Sequence, residues 1–148
     1  MVSLLAVSAH AQFDKIPIFD KGAGWNIIVK ADLNHDGKPD IIGSSSNGSS
    51  VIAALGNGTG GFAPAKFSPV TNLDSPGQLA VGDFNNDGFP DVVVPGADHV
   101  TGGGAVGIML GNGDGTFQTT KEIAVGGSDF GVVIAGDFNG DGNTDIAF

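Results

Sequence analysis

Short apolar runs rich in β-branched side chains alternate along this chain with clusters of Gly, Asn, Asp, Ser and Pro. Runs at residues 27–29, 79–81 and 132–135 each precede a polar loop, and runs at 41–42, 92–94 and 146–148 each follow one. Two more, at 51–55 and 105–110, come later in their units. Segments of this length between turn formers read as strands. No window carries the i, i+3, i+4, i+7 stripe of an amphipathic helix. The pattern predicts an all-β chain.

The polar loops repeat. Asp32, Asn34, Asp36, Gly37 and Asp40 stand at positions 1, 3, 5, 6 and 9 of a nine-residue pattern D-x-N-x-D-G-x-x-D. Asp83, Asn85, Asp87, Gly88 and Asp91 repeat it, and so do Asp137, Asn139, Asp141, Gly142 and Asp145. The leading acids are 51 and then 54 residues apart. A second marker, LGNGTGGF at 55–62 and LGNGDGTF at 110–117, keeps step with the loops. Each loop also lies about twenty residues after a Phe: Phe13, Phe62 and Phe117. Each unit then holds about four strands: one before the loop, one after it, one ending in the LGNG marker and one following the Phe. Four-stranded antiparallel sheets recurring near every fifty residues predict the blades of a β-propeller.

Composition narrows the function. The chain has 148 residues, room for one domain at most. It carries 16 acids against 6 bases, all Lys, for a net charge of −10. Phosphate recognition needs a Lys/Arg footprint that this chain lacks, so nucleic-acid partners are excluded. No cysteine is present, which removes disulfides, thiol nucleophiles and thiolate-bound zinc. Residues 2–8 form a short apolar run ahead of Ala9-His10-Ala11, a small-x-small cleavage pattern. Residues 1–11 are therefore expected to be a truncated signal peptide, leaving Gln12 as the mature start and a secreted or cell-surface product. The competing reading of that run is a buried first strand. No stretch approaches the roughly 18 apolar residues of a membrane-spanning helix.

Nine of the 16 acids sit at positions 1, 5 and 9 of the three loops. Three carboxylates and an Asn carbonyl within nine residues repel one another unless a cation sits among them. Hard oxygen donors of this kind suit Ca²⁺, which takes six to eight oxygens; Mg²⁺ wants a tighter octahedron and more water. Gly at position 6 supplies a left-handed turn. Position 7 varies (Lys38, Phe89, Asn143), as expected if only its backbone carbonyl is used. Three bound Ca²⁺ would bring the charge from −10 to −4. The alternative is a set of Asx-Gly hairpin turns with solvated acids, against which three in-phase copies weigh. An EF-hand would need Glu at position 12, where Gly43, Val94 and Phe148 stand instead. The G-x-G-x-x-G matches at 56–61 and 102–107 open no helix and are not nucleotide loops. A glycosidase pair should occur once, not three times at regular spacing. His35 and His99 read as surface loop residues, and Asn47 and Asn57 begin glycosylation sequons in form only.

Residues 32–40, 83–91 and 137–145, with the LGNGxGxF marker and the fifty-residue period, resemble FG-GAP/VCBS repeats, the family that includes the integrin alpha-subunit propeller and many exported bacterial proteins. The resemblance spans residues 13–148, although Gly-Ala-Pro itself survives only as Phe62-Ala63-Pro64. It implies a seven-bladed propeller in complete members, with each Asp loop joining the first two strands of a blade and holding Ca²⁺. The implied ligands are Asp32, Asn34, Asp36, the Lys38 carbonyl and Asp40; then Asp83, Asn85, Asp87, the Phe89 carbonyl and Asp91; then Asp137, Asn139, Asp141, the Asn143 carbonyl and Asp145. Residues 12–148 hold about two and a half units, whereas closed propellers have roughly four to eight blades. The expectation is a partial propeller, completed by further blades of the same protein or by self-assembly of two or three copies. Two functional classes follow. The first is a non-catalytic, Ca²⁺-rigidified scaffold binding an extracellular protein or glycan. The second is the propeller part of an exported enzyme, such as a polysaccharide-degrading one, with its catalytic residues outside this chain.

Overall fold

The structure, a computed structural model, describes residues 25–45, 48, 50–74, 77–127 and 132–148. The expected leader at 1–11 and the marker Phe13 lie outside them. The described residues form strands, turns and bends, with no helix among them.

Strands β1 (Trp25–Ala31), β2 (Asp40–Ser45), β3 (Ser50–Ala54) and β4 (Lys66–Pro69) make one antiparallel sheet in the order β1-β2-β3-β4. After the short β5 (Leu73–Asp74), the same meander recurs as β6 (Ala80–Gly82), β7 (Asp91–Asp98), β8 (Gly104–Met109) and β9 (Lys121–Ala124). Strands β10 (Ile134–Gly136) and β11 (Asp145–Ala147) begin a third copy. Each Asp loop joins the first two strands of its sheet, and β6 lies beside both β1 and β10. First strands side by side, with each sheet running outward from them, are the arrangement of propeller blades.

The blades stack through their apolar faces. Val29, Ile42, Val51 and Ala53 of the first blade meet Leu79, Val92, Val94 and Met109 of the second in one core. On the other face of the second blade, Val93 and Val106 pack with Val133 and Ile146 of the third. Strand β7 is thus buried on both sides, which is why it reads Val92-Val93-Val94 without alternation.

Strand boundaries depart from the sequence reading, two of them instructively. Val132 and Val133 precede β10 instead of lying within it, and β7 continues past Val94 through Pro95 to Asp98. Proline lacks the N–H of a ladder bond, and here none is needed. The Pro95 carbonyl accepts the Gly77 amide at 2.8 Å, so the backbone polar edge of Pro95 faces the inner side, in the gap between β5 and β6. The ladder to β8 keeps its register, with Pro95 opposite Val106.

Candidate functional site

The three Asp loops share one internal hydrogen-bond scheme. In the first, Asp32 accepts the Asp36 amide through Oδ1 at 3.2 Å and the Gly37 amide through Oδ2 at 3.0 Å. Asn34 Oδ1 accepts the Asp36 amide at 3.2 Å, and Asp36 Oδ1 accepts the Lys38 amide at 2.9 Å. Asp83, Asn85 and Asp87 repeat these bonds to the amides of Asp87, Gly88 and Phe89. Asp137, Asn139 and Asp141 repeat them to Asp141, Gly142 and Asn143, with Gly140 added. Each position-1 carboxylate caps the turn, and Gly37, Gly88 and Gly142 have φ of 78°, 90° and 86°, where a side chain would be strained.

Position 4 is left-handed as well. His35, Asn86 and Gly140 have φ of 56°, 58° and 80°, a need that the sequence reading missed; His, Asn and Gly are among the residues that tolerate it. The same residues link one loop to the next. His35 meets the Phe89 ring edge-on at 5.8 Å between centroids, and Asn86 Nδ2 donates to Asn143 Oδ1 at 2.8 Å. Position 4 of the first and second loops therefore touches position 7 of the loop that follows.

Position 9 is built differently from positions 1 and 5. Asp40 and Asp91 are fully buried. Asp40 takes the Leu33 amide on Oδ2 at 2.8 Å and the Gly56 amide on Oδ1 at 2.7 Å. Asp91 takes the Phe84 amide at 2.9 Å and the Gly111 amide at 2.8 Å. Asp145, partly exposed, takes the Phe138 amide at 3.1 Å. Gly56 and Gly111 are the first glycines of the LGNG markers, and a Cβ on either would collide with the carbonyl oxygen of Pro39 or Pro90. The two repeated motifs keep step because they touch.

The electrostatics follow these contacts. The Lys38 ammonium, 3.0 Å from Asp36 Oδ2, holds the Asp36 carboxyl below its ordinary pKa. The amides of Gly142 and Gly140 do the same for Asp137, and the Asn143 amide does so for Asp141. Burial pushes Asp91 up, against the pull of its two amide donors. Elsewhere His99, read from sequence as a surface loop residue, has Asp74 as partner, with Nδ1 3.0 and 3.1 Å from the two carboxylate oxygens.

The donors fit a hard cation in kind: each loop offers three carboxylates, an Asn carbonyl and a backbone carbonyl. In the first loop the Lys38 ammonium already stands in for a cation on Asp36. Carboxylate oxygens that each accept one amide keep a second lone pair. Among the described residues no three His, Cys, Asp or Glu side chains converge as a formed metal cage; the carboxylates are turned onto amides. Asn57, exposed, folds back onto its own turn, its Oδ1 accepting the Thr59 and Gly61 amides. The other sequon includes residues outside those described.

Comparison with known proteins places this architecture. The model of the FG-GAP-like repeat matches residues 32–94 and 99–148. Human integrin alpha-7 is 34% identical over 140 residues, covering 82% of this chain and 11% of that protein. A solved Agrocybe aegerita lectin, described as recognising non-reducing terminal N-acetylglucosamine, superposes with a TM-score of 0.59 at 32% identity, over 81% of this chain and 31% of the lectin. The chain thus spans less than a third of either relative. With family matches that take in all three Asp loops and most of the chain, the chain belongs to the FG-GAP-like repeat family.

Proposed function

We propose that this chain is an extracellular, non-catalytic binding module: a calcium-rigidified stretch of β-propeller that presents its loops to a glycan or protein partner. The observation that carries the binding half is the 32% identity with a sugar-recognising lectin across 81% of this chain, with the integrin alpha-7 likeness pointing the same way. Fold alone does not fix function, so the ligand is argued from those relatives and not from the sheet arrangement.

Calcium would be held by Asp32, Asn34, Asp36, the Lys38 carbonyl and Asp40 in the first loop. Asp83, Asn85, Asp87, the Phe89 carbonyl and Asp91 would hold it in the second, and Asp137, Asn139, Asp141, the Asn143 carbonyl and Asp145 in the third. Its chemistry there is charge neutralisation and crosslinking of the loop. The chain's own residues keep each loop turned for that purpose through the amide bonds to positions 1, 3 and 5. Binding to the folded state alone adds stability as RT ln(1 + [L]/Kd), about 2.7 kcal/mol per site at a hundredfold excess over Kd.

Calorimetric titration of Ca²⁺ into chelator-treated protein tests the metal half: near three sites are expected, and one fewer in each of Asp36→Ala, Asp87→Ala and Asp141→Ala. Unchanged stoichiometry in these variants would refute the ligand assignment. Binding to immobilised N-acetylglucosamine-terminated and control glycans, with and without Ca²⁺, tests the other half. Retention on none of them would leave the protein-partner reading alone.

A further inference from the structure

Four Asn-Gly steps lie in this chain, at residues 47–48, 57–58, 112–113 and 139–140. Asparagine before glycine is prone to self-modification, because the following amide nitrogen can close on the side-chain carbonyl carbon and glycine has no Cβ to hinder it. The first step includes a residue outside those described. The other three asparagines are all exposed, and their surroundings differ.

At Asn139, in the third Asp loop, both ends of that reaction are met. The Gly140 amide, the nucleophile, donates to Asp137 Oδ1 at 2.7 Å. Asn139 Oδ1, where negative charge develops, accepts the Asp141 amide at 2.8 Å. Asn57 has only the second feature. Its Oδ1 accepts the Thr59 and Gly61 amides at 2.8 and 3.0 Å, but the Gly58 amide meets no carboxylate among the described residues. Asn112 is held by its nitrogen instead, Nδ2 donating to Thr116 Oγ1 at 2.9 Å, and the Phe89 ring packs against Gly113. The first two Asp loops carry His35 and Asn86 after their asparagine, so neither repeats the arrangement. Asn85, in the loop with neighbours on both sides, is exposed as Asn139 is, so access belongs to the loop face itself.

We propose that Asn139–Gly140 is a self-modifying site, which forms a succinimide with Asp137 as its base and the Asp141 amide as its oxyanion donor. Asp137 takes the Gly140 amide proton as the Gly140 nitrogen bonds to Asn139 Cγ, and the Asp141 N–H holds the charge that forms on Oδ1. The Cγ–Nδ2 bond then breaks. Water at this exposed site returns a proton to Nδ2, which leaves as ammonia. One water molecule then opens the ring. Attack at Cγ gives aspartate, and attack at the main-chain carbonyl gives isoaspartate, with an extra methylene in the backbone between positions 3 and 4 of the loop. Either product adds one negative charge. The inference stands on the hydrogen bonds of this loop and is independent of the metal and ligand readings.

The test incubates the 148-residue protein in chelator at neutral pH and follows each asparagine by peptide mass spectrometry, with isoaspartyl methyltransferase counting the isoaspartate. In the folded protein Asn139 should convert at least roughly tenfold faster than Asn57 and Asn112, the advantage expected of a positioned base. In denaturing urea, where only the shared Asn-Gly sequence remains, the three rates should converge. Asp137→Asn should slow Asn139 about tenfold and leave Asn57 unchanged. The comparison of folded and urea-treated parent needs no variant, so it decides the matter even where Asp137→Asn unfolds. Asn139 no faster than the other two in the folded protein overturns the proposal. An unchanged Asn139 rate in folded Asp137→Asn overturns it as well.

Discussion

Asp91 accepts the Gly111 amide at 2.8 Å, so a buried carboxylate at the end of one loop holds the strand end of a marker twenty residues further on. Asp40 and Gly56 repeat the relationship at 2.7 Å. Each carboxylate also takes an amide from its own loop, and removing it strands two donors away from water. An unsatisfied buried group costs about 1–3 kcal/mol. Asp91→Ala and Asp40→Ala should each lose about 2–5 kcal/mol in chelator, read by urea denaturation. Asp87→Ala, on an exposed side chain, should lose under about 1 kcal/mol. Equal losses at Asp87 and Asp91 would remove the structural role of position 9.

Gly56 and Gly111 face the carbonyl oxygens of Pro39 and Pro90 with no room for a methyl group. Overpacking against backbone cannot be relieved by a side-chain rotation. Gly111→Ala and Gly56→Ala should therefore lose about 1–3 kcal/mol or more, and should disturb the bond to Asp91 or Asp40 as well. Proton NMR of the Gly111 amide in the parent and Gly56 variant, and of Gly56 in the Gly111 variant, would show whether each blade fails alone. Two fully stable variants would contradict the packing described.

Asn86 has φ of 58°, and the matching position of the third loop is Gly140. The left-handed region costs an ordinary L-residue about 1–2 kcal/mol. Asn86→Ala and Asn86→Gly both lose the side-chain bond to Asn143, so the difference between them isolates the backbone. Glycine should be the more stable by about 1 kcal/mol in thermal melts. Alanine equal to glycine would mean that the loop relaxes to a different turn.

The His99–Asp74 pair gives a pH dependence of definite sign. Asp74 first, then the nearby Asp98 and Glu122, favour the charged imidazole and raise its pKa above the ordinary value. Glu122 is itself pushed up, by desolvation and by Asp98, and Asp98 is held low chiefly by the Thr101 and Val100 amides. A folded pKa above the unfolded one means stability that is fully present below the ordinary histidine pKa and is lost as pH rises through the raised one. The pair is exposed, so the effect is small. His99→Gln and Asp74→Asn should each flatten the decline of melting temperature between about pH 6 and 8. Parent and variants with parallel profiles would show that the pair carries no weight in holding β5 against β7.

Ser44 Oγ is buried and lacks a hydrogen-bond partner, alone among the buried side-chain polar atoms of the described residues. Its removal gives up no bond and relieves a desolvated hydroxyl. Ser44→Ala should leave stability unchanged or raise it by about 1 kcal/mol, measured by chemical denaturation. A loss above about 1 kcal/mol would mean that the hydroxyl finds a partner in solution.

Much of the architecture was legible in the chain because its signals are local. Apolar runs and Asx-Gly turns depend on neighbours a few residues away, and, recurring near every fifty residues, they located the first three strands of both complete blades. The left-handed Gly37, Gly88 and Gly142 were legible for the same reason. Pro95 inside β7 was not. Its tolerance depends on a gap in the inner edge, and the partner that shows the gap, Gly77, belongs to a different segment.

What the sequence determined by itself was the kind of unit, its repetition, and three loops of oxygen donors at matching positions. Only the tertiary structure decided that Asp40 and Asp91 are buried staples, that position 4 of one loop leans on position 7 of the next, and that Lys66 grips Asp114. These contacts join residues up to 57 apart, and many of them end on backbone amides. An amide donor is the same at every residue but proline, so it leaves no mark in a sequence until the stacking of sheets brings a carboxylate to it.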